Sequence, residues 1–97
     1  MPNTAMARHI LVKTQAEAQT IKQQLSQGQD FAKLAKKHSL CGSGKKGGVL
    51  GDSGGEVRKG QMVKAIDTVI FKKPTNVVHG PIKTQFGFHL VEVIFRD

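Results

Sequence analysis

The sequence has little of what stabilises small secreted proteins: its 97 residues include one cysteine, Cys41, and no tryptophan or tyrosine. A single cysteine excludes a disulfide within the chain and fits a reducing compartment. The first residues, Met1 to Arg8, contain no long apolar run of the kind that a secretory signal needs. No stretch approaches the ~20 apolar residues of a membrane-spanning helix. We therefore expect a cytoplasmic protein without a membrane partner.

Acidic residues are also scarce, since seven Asp and Glu stand against fifteen Lys and Arg. The resulting net charge of +8 favours acidic partners and speeds encounter with them. Scattered lysines also serve simply to keep a surface solvated. The hydrophobic content of 38% argues against disorder. A chain of this length predicts one domain over residues 1–97 with one modest core, and we expect a monomer.

The best strand patterns lie near the two ends of the chain. Apolar and polar positions alternate from Ala7 to Lys13 and again from Phe88 to Phe95. In the second strand one face is expected to carry His89, Val91, Val93 and Phe95. Each strand contains a histidine, His9 in the first and His89 in the second. If the two strands are neighbours at the sheet centre, both imidazoles meet on one face.

Three helices are predicted from caps, stops and spacing. Thr14 and Glu17 form a capping-box pattern, and Asp30 can cap a second, shorter helix. Helical spacing returns from Gln61 to Phe71, and Pro74 stops that helix. The residues expected to face the core are Ala18, Ile21 and Leu25, then Phe31, Leu34 and Ala35, then Met62, Ala65, Ile66 and Val69.

Glycine-rich segments separate these elements. Ser39 to Gly48 is predicted as a loop and Gly51 to Gly60 as an exposed polar segment, with a short strand beginning at Val49 between them. Val77 to Pro81 is a further strand candidate. The order of strand, two helices, short strand, helix, strand and strand is typical of an α+β domain with a small sheet covered by helices.

Several separated motifs resemble the parvulin-type peptidyl-prolyl cis/trans isomerases. His9 to Lys13 resembles the opening strand of that family, Ser39 to Gly51 its central loop, and Gly60 to Val63 the start of its last helix. Gly80, Pro81 and then Thr84 to Val91 resemble its closing hairpin. These motifs occur in the family's order over almost the whole chain, which makes them more specific together than any one alone.

The resemblance implies a four-stranded antiparallel sheet surrounded by about four helices. It also implies isomerisation of Xaa-Pro bonds in proline-containing peptides and unfolded protein chains, which assists folding, without a cofactor or metal. The implied candidate catalytic residues are His9, Cys41, Thr84 and His89. The implied proline pocket is formed by Leu50, Met62, Ile66 and Phe86.

The chemistry needs little from the protein, because rotation about an Xaa-Pro bond breaks no covalent bond. The barrier of about 18–20 kcal/mol reflects amide resonance. An apolar pocket that favours the twisted imide is therefore the main requirement. The histidines then either fix the sheet through hydrogen bonds, which we favour, or donate to the substrate. Cys41 is either a nucleophile or an electrostatic influence on the carbonyl, and we favour the second because rotation needs no adduct.

The sequence departs from the family pattern at Gly42, Val49 and Ile66, in the turn after the first strand, and in the length of the connection from Asp52 to Lys59. Ile66 stands where a phenylalanine is usual, so we expect weaker binding of the proline ring. The turn from Lys13 to Gln15 is too short for an arginine-rich loop, so we expect no phosphate requirement. Asp52 to Lys59 is longer than the usual connection, and its role is open.

Two other functions compete with isomerisation. A nucleic-acid-binding module fits the charge and an aromatic strand pattern from Lys83 to Phe88, but the chain has no second aromatic motif. A catalytically silent chaperone domain would keep the peptide pocket without turnover. Binding of acidic clients through the basic surface is compatible with any of these functions.

Overall fold

A computed structural model describes residues 4–40, 56–58, 60 and 62–96. The elements are β1 (Thr4–Val12), α1 (Gln15–Ser26), α2 (Phe31–His38), β2 (Glu56–Arg58), α3 (Lys64–Lys72), β3 (Val78–Thr84) and β4 (Gly87–Arg96). The strands form one sheet in the order β2-β1-β4-β3, and all neighbours are antiparallel. This confirms the predicted α+β architecture. The described ranges hold three helices, against the four that the resemblance implied.

Both predicted N-terminal caps are present. The Thr14 Oγ1 atom accepts a hydrogen bond from the backbone N–H of Glu17 at 3.2 Å. The Asp30 Oδ2 atom accepts one from the N–H of Lys33 at 3.1 Å. Each bond satisfies a donor that a helix start leaves unpaired, so local sequence fixes where α1 and α2 begin.

The third helix is shorter than predicted, because α3 begins at Lys64 instead of Gln61. Its carboxyl end is tied to the last strand by Arg96, which donates at 2.8 Å to the carbonyl oxygens of Ile70 and Lys73. These carbonyls lie in the last turn and just after it, where intrahelical donors run out. Ala65, predicted to face inward, is exposed. None of the helices in the described ranges is long and apolar enough to cross a membrane.

The sheet separates two apolar layers. On one face α3 packs against β1 and β4 through Ala5, Ala7, Ile66, Val69, Ile70, Phe71, Val91 and Val93. On the other face α1 and α2 pack through Ile10, Val12, Ala18, Ile21, Phe31, Leu34, Ala35 and Leu90. Burial on both faces removes apolar area from water and gives the sheet centre its rigidity.

Two predictions about the strands are wrong. Gly51 to Gly60 contains β2, whose Val57 is buried against the α3 layer, so this segment is not simply an exposed loop. Phe95 does not share the buried face of Val93 and is 59% exposed. The reason is a register shift in which Ala7 pairs with Val93 but Met6 pairs with Phe95. Such a bulge adds one residue to β4 and reverses the alternation beyond it.

Gly87 lets β4 begin close to β1. Its φ is +139°, and a Cβ at this position would meet the carbonyl oxygen of Val12. Only glycine combines that backbone angle with so close an approach. The β3–β4 hairpin can therefore turn tightly against the end of β1, which places the residues of the turn beside the histidines.

Candidate active site

The register of the sheet brings the two histidines together. His9 lies opposite Val91 and Leu11 lies opposite His89, so the histidines are diagonal neighbours on one face of β1 and β4. Their ring centroids are 5.5 Å apart, and the ring planes meet edge to face at 87°. This confirms the expectation that strands from distant parts of the sequence unite the two imidazoles.

Both imidazoles are buried, His9 with 3% and His89 with 5% of its surface exposed. Burial penalises the charged form and, together with the nearby His89, lowers the pKa of His9 to about 4. Burial also lowers the pKa of His89. Both rings are therefore neutral at pH 7, and each can act as a hydrogen-bond donor through one nitrogen and as an acceptor through the other.

Thr84 links His89 to the turn of the hairpin. Its Oγ1 atom lies 2.7 Å from His89 Nε2 and accepts a hydrogen bond from the Phe86 backbone N–H at 3.2 Å. The hydroxyl can donate its proton to Nε2, or accept from it through the remaining lone pair. In either direction the bond orients the His89 ring and holds the backbone of Phe86 in place.

An apolar pocket of about 240 Å³ opens beside the histidines. It is lined by His9, Leu11, Met62, Val63, Ile66, Phe86 and His89. The buried lining residues Ile66, His9 and His89 form its floor, whereas Phe86 at the rim is 58% exposed. Pockets for drug-sized ligands span roughly 300–1,000 Å³, so this one admits a single small ring.

The pocket brings together five of the eight predicted site residues: His9, His89, Met62, Ile66 and Phe86. A sixth, Thr84, bonds to His89 behind it. The other two, Cys41 and Leu50, lie outside the described residues.

Sequence reasoning missed two residues of the pocket wall. Leu11 is two positions after His9 and therefore on the same strand face, a signal that period-two alternation offered. Val63 directly precedes α3. It was missed because the helix was predicted to start at Gln61, which placed Val63 inside the helix and outside its expected core-facing residues. No group of three or more potential metal ligands occurs in the described parts of the chain.

Comparison with known proteins agrees with this geometry. The family described as rotamase, PPIC-type PPIASE domain, matches residues 5–94. Foldase protein PrsA of Exiguobacterium sibiricum is 46% identical over 92 residues, which cover 93% of this chain but 29% of that protein. The chain thus spans less than a third of that curated relative.

Two solved structures share the fold. The solution structure of NmPin, the parvulin of Nitrosopumilus maritimus, has a TM-score of 0.83 and 41% identity, covering 95% of this chain and 96% of that one. The crystal structure of PrsA from Bacillus anthracis has a TM-score of 0.90 and 30% identity, covering 99% of this chain and 43% of that one. Sequence, fold and the paired histidines beside an apolar pocket therefore agree that this chain belongs to the PPIC-type, or parvulin, family of peptidyl-prolyl cis/trans isomerases.

Proposed function

We propose that the pocket beside His9 and His89 binds the proline ring of an Xaa-Pro segment in an unfolded chain and accelerates rotation about the preceding peptide bond. The observation that carries the proposal is the apolar pocket of about 240 Å³ with two neutral, buried imidazoles at its base. A pocket of that size admits the pyrrolidine ring and leaves the flanking peptide outside.

Catalysis follows from the difference between the planar and the twisted imide. The planar form has a polarised carbonyl that water solvates well, whereas twisting returns the lone pair to nitrogen and weakens the carbonyl as an acceptor. An apolar wall of Met62, Ile66 and Phe86 removes water from the imide and so disfavours the planar form more than the twisted one. The wall thereby lowers the barrier without forming or breaking any bond.

The histidines serve this pocket chiefly as structural elements. The two rings pack edge to face, and Thr84 orients His89. Since rotation requires no proton transfer, neutral rings suffice to fix the floor of the pocket and the position of the hairpin turn.

The shallow, exposed rim of the pocket indicates which substrates it can accept. Phe86 is mostly exposed and the pocket holds only one ring, so the protein recognises little beyond proline and its immediate neighbours. Such a site acts on extended, accessible segments, which unfolded chains provide and folded proteins mostly do not. We therefore propose unfolded protein chains as the clients, in keeping with the foldase name of the PrsA relative.

Exchange spectroscopy by NMR on a panel of Xaa-Pro peptides tests the proposal. We expect cis/trans exchange, which takes tens to hundreds of seconds without a catalyst, to become fast enough to give exchange cross-peaks. Phe86→Ala should weaken this effect, whereas Phe95→Ala, which removes an equally exposed ring away from the pocket, should not. Peptide binding without faster exchange would instead identify a silent chaperone domain.

A further inference from the structure

A second groove lies between α1 and the outer strand β3. Its first part, of about 450 Å³, is lined by Gln19, Lys22, Gln23, Ser26, Gly80 and Pro81. A neighbouring part of about 350 Å³ shares Lys22 and Ser26 and continues along Asn76, Val77 and Val78. We call the two parts together the α1–β3 groove.

Lys22 is the cationic centre of this groove. Its ammonium group donates to the carbonyl oxygen of Gly80 at 2.6 Å, which uses one of its three N–H donors. The carboxylate that also lines the groove, Glu92, is already bound to Arg8 at 2.7 Å. The charge of Lys22 is therefore met by a neutral carbonyl, and the groove favours an anionic group.

The other lining groups suit a peptide backbone. Gln19 and Gln23 lie one turn apart on the exposed face of α1, and each amide offers both donors and an acceptor. Such groups can bond to peptide units without selecting a particular side chain. Val77, which is half exposed, adds apolar surface at the far end. The β3 residues that line the groove run from Val78 to Pro81, which is roughly 10 Å of strand, enough to lie along about three extended residues.

The α1–β3 groove and the proline pocket lie on opposite sides of the sheet. The pocket is built on the face covered by α3, whereas α1 packs on the other face. A segment in one site therefore leaves the other open. A single unfolded chain can occupy both, which raises the effective concentration of its Xaa-Pro segments at the pocket.

From these observations we propose that the α1–β3 groove binds an extended, acidic segment of the unfolded chain whose Xaa-Pro bond is isomerised in the pocket. This inference rests on the proposed function. It assigns Gln19 and Gln23 to the peptide backbone and Lys22 to an acidic side chain.

Binding is tested with an acidic, proline-free peptide of about seven residues added to the ¹⁵N-labelled protein. We expect chemical-shift changes at Gln19, Gln23 and Gly80 but not at Phe86, and smaller changes with a matched peptide in which Asn and Gln replace Asp and Glu. Shifts at the pocket, or shifts in neither place, would overturn the proposal. Groove shifts that depend on protein concentration without peptide would also overturn it, because they would identify a second copy as the occupant.

The functional test compares two substrates with Lys22→Glu and a matched control, Lys33→Glu, which makes the same charge change on the exposed face of α2. Lys22→Glu should reduce catalysed refolding of a proline-limited unfolded protein roughly threefold or more at low salt, with less effect at high salt. Turnover of a short Xaa-Pro peptide should be unchanged in both variants.

The two proposals fail in different ways. A wild-type protein that does not accelerate exchange in the short peptide contradicts the proposed function. Normal peptide turnover with equal refolding rates for wild type, Lys22→Glu and Lys33→Glu contradicts the groove alone. If Lys22→Glu folds poorly, Gln23→Glu serves as the second variant, because it adds a negative charge to the same groove at an exposed position. It should act in the same direction with a smaller loss, and a wild-type rate would count against the groove.

Discussion

The burial of His9 makes the stability of the domain depend on pH. The pKa of this imidazole falls from 6.5 in the unfolded chain to about 4 in the folded one. Below pH 6.5 the unfolded chain therefore binds a proton that the folded chain does not. Stability is lost as the pH falls from about 6.5 towards about 4, and it is unaffected by His9 well above pH 6.5.

The magnitude follows from the width of that window. One pKa unit corresponds to about 1.36 kcal/mol, so lowering the pH to about 5 costs about 2 kcal/mol through His9. His89, whose pKa is also lowered, adds to the loss in the same direction. A domain of this size has a free energy of unfolding of about 5–15 kcal/mol, so the loss is large enough to measure.

Urea unfolding at several pH values between about 5 and about 8 measures this effect. His9→Leu should have a flatter pH profile than wild type, whatever its absolute stability, because it removes one of the two buried imidazoles. His38→Asn, a change at the end of α2 away from the pocket, controls for removal of a histidine as such. Parallel profiles for wild type and His9→Leu, or an NMR titration of His9 with a midpoint near 6.5, would refute the reasoning.

Three substitutions test the pocket itself. Phe86→Ala should raise KM for an Xaa-Pro peptide several-fold. It should change the free energy of unfolding by less than about 0.5 kcal/mol, since the ring is mostly exposed. An equal rise in KM from Phe95→Ala would contradict the assignment of Phe86 to the pocket. Ile66→Phe should raise kcat/KM by adding flat surface to the pocket wall, and it should cost about 1–3 kcal/mol of stability by overpacking the core. An unchanged or lower kcat/KM would contradict the role of a flat wall in binding the proline ring. Thr84→Val should cost about 1–3 kcal/mol, measured by urea unfolding, because His89 Nε2 loses its partner, whereas Thr84→Ser should not.

Local signals in the sequence predicted the helices well. Thr14 and Asp30 sit where their side chains cap α1 and α2. The stripes that follow them are buried as expected except for Leu25, which is partly buried. Capping and helical spacing act over a few residues, so the sequence contains all the information that they need. The strand containing Val57 was missed for the converse reason: three residues in a glycine-rich segment carry no period, and only pairing with β1 makes them a strand.

The part of the site that lies on β1 and β4 was predictable, because side chains on a strand alternate between the two faces of the sheet. His9 and His89 were placed on one face because two clear strands each carry a histidine, and Leu11 could have been added by the same rule. Phe95 was misplaced because a bulge depends on how two strands meet, which no single strand reveals. The α1–β3 groove had no signal, since exposed Gln and Lys are ordinary surface residues. The cytoplasmic location and the monomeric state stay predictions.

The arrangement of the histidines bears on how the pocket works. A site that relies on proton transfer keeps its acid or base close to the working pH, whereas His9 has a pKa of about 4 and lies in a buried, water-poor environment. His89 is engaged with Thr84, whose other contact fixes the backbone of Phe86. The imidazoles thus connect the sheet to the pocket rim, and their neutrality is what permits their burial. It follows that kcat/KM should be flat from about pH 7 to about pH 8, because the pKa of both rings lies below the ordinary value of 6.5. A bell-shaped profile in that range, from a protein that remains folded, would instead require a proton-transferring group at the reacting bond.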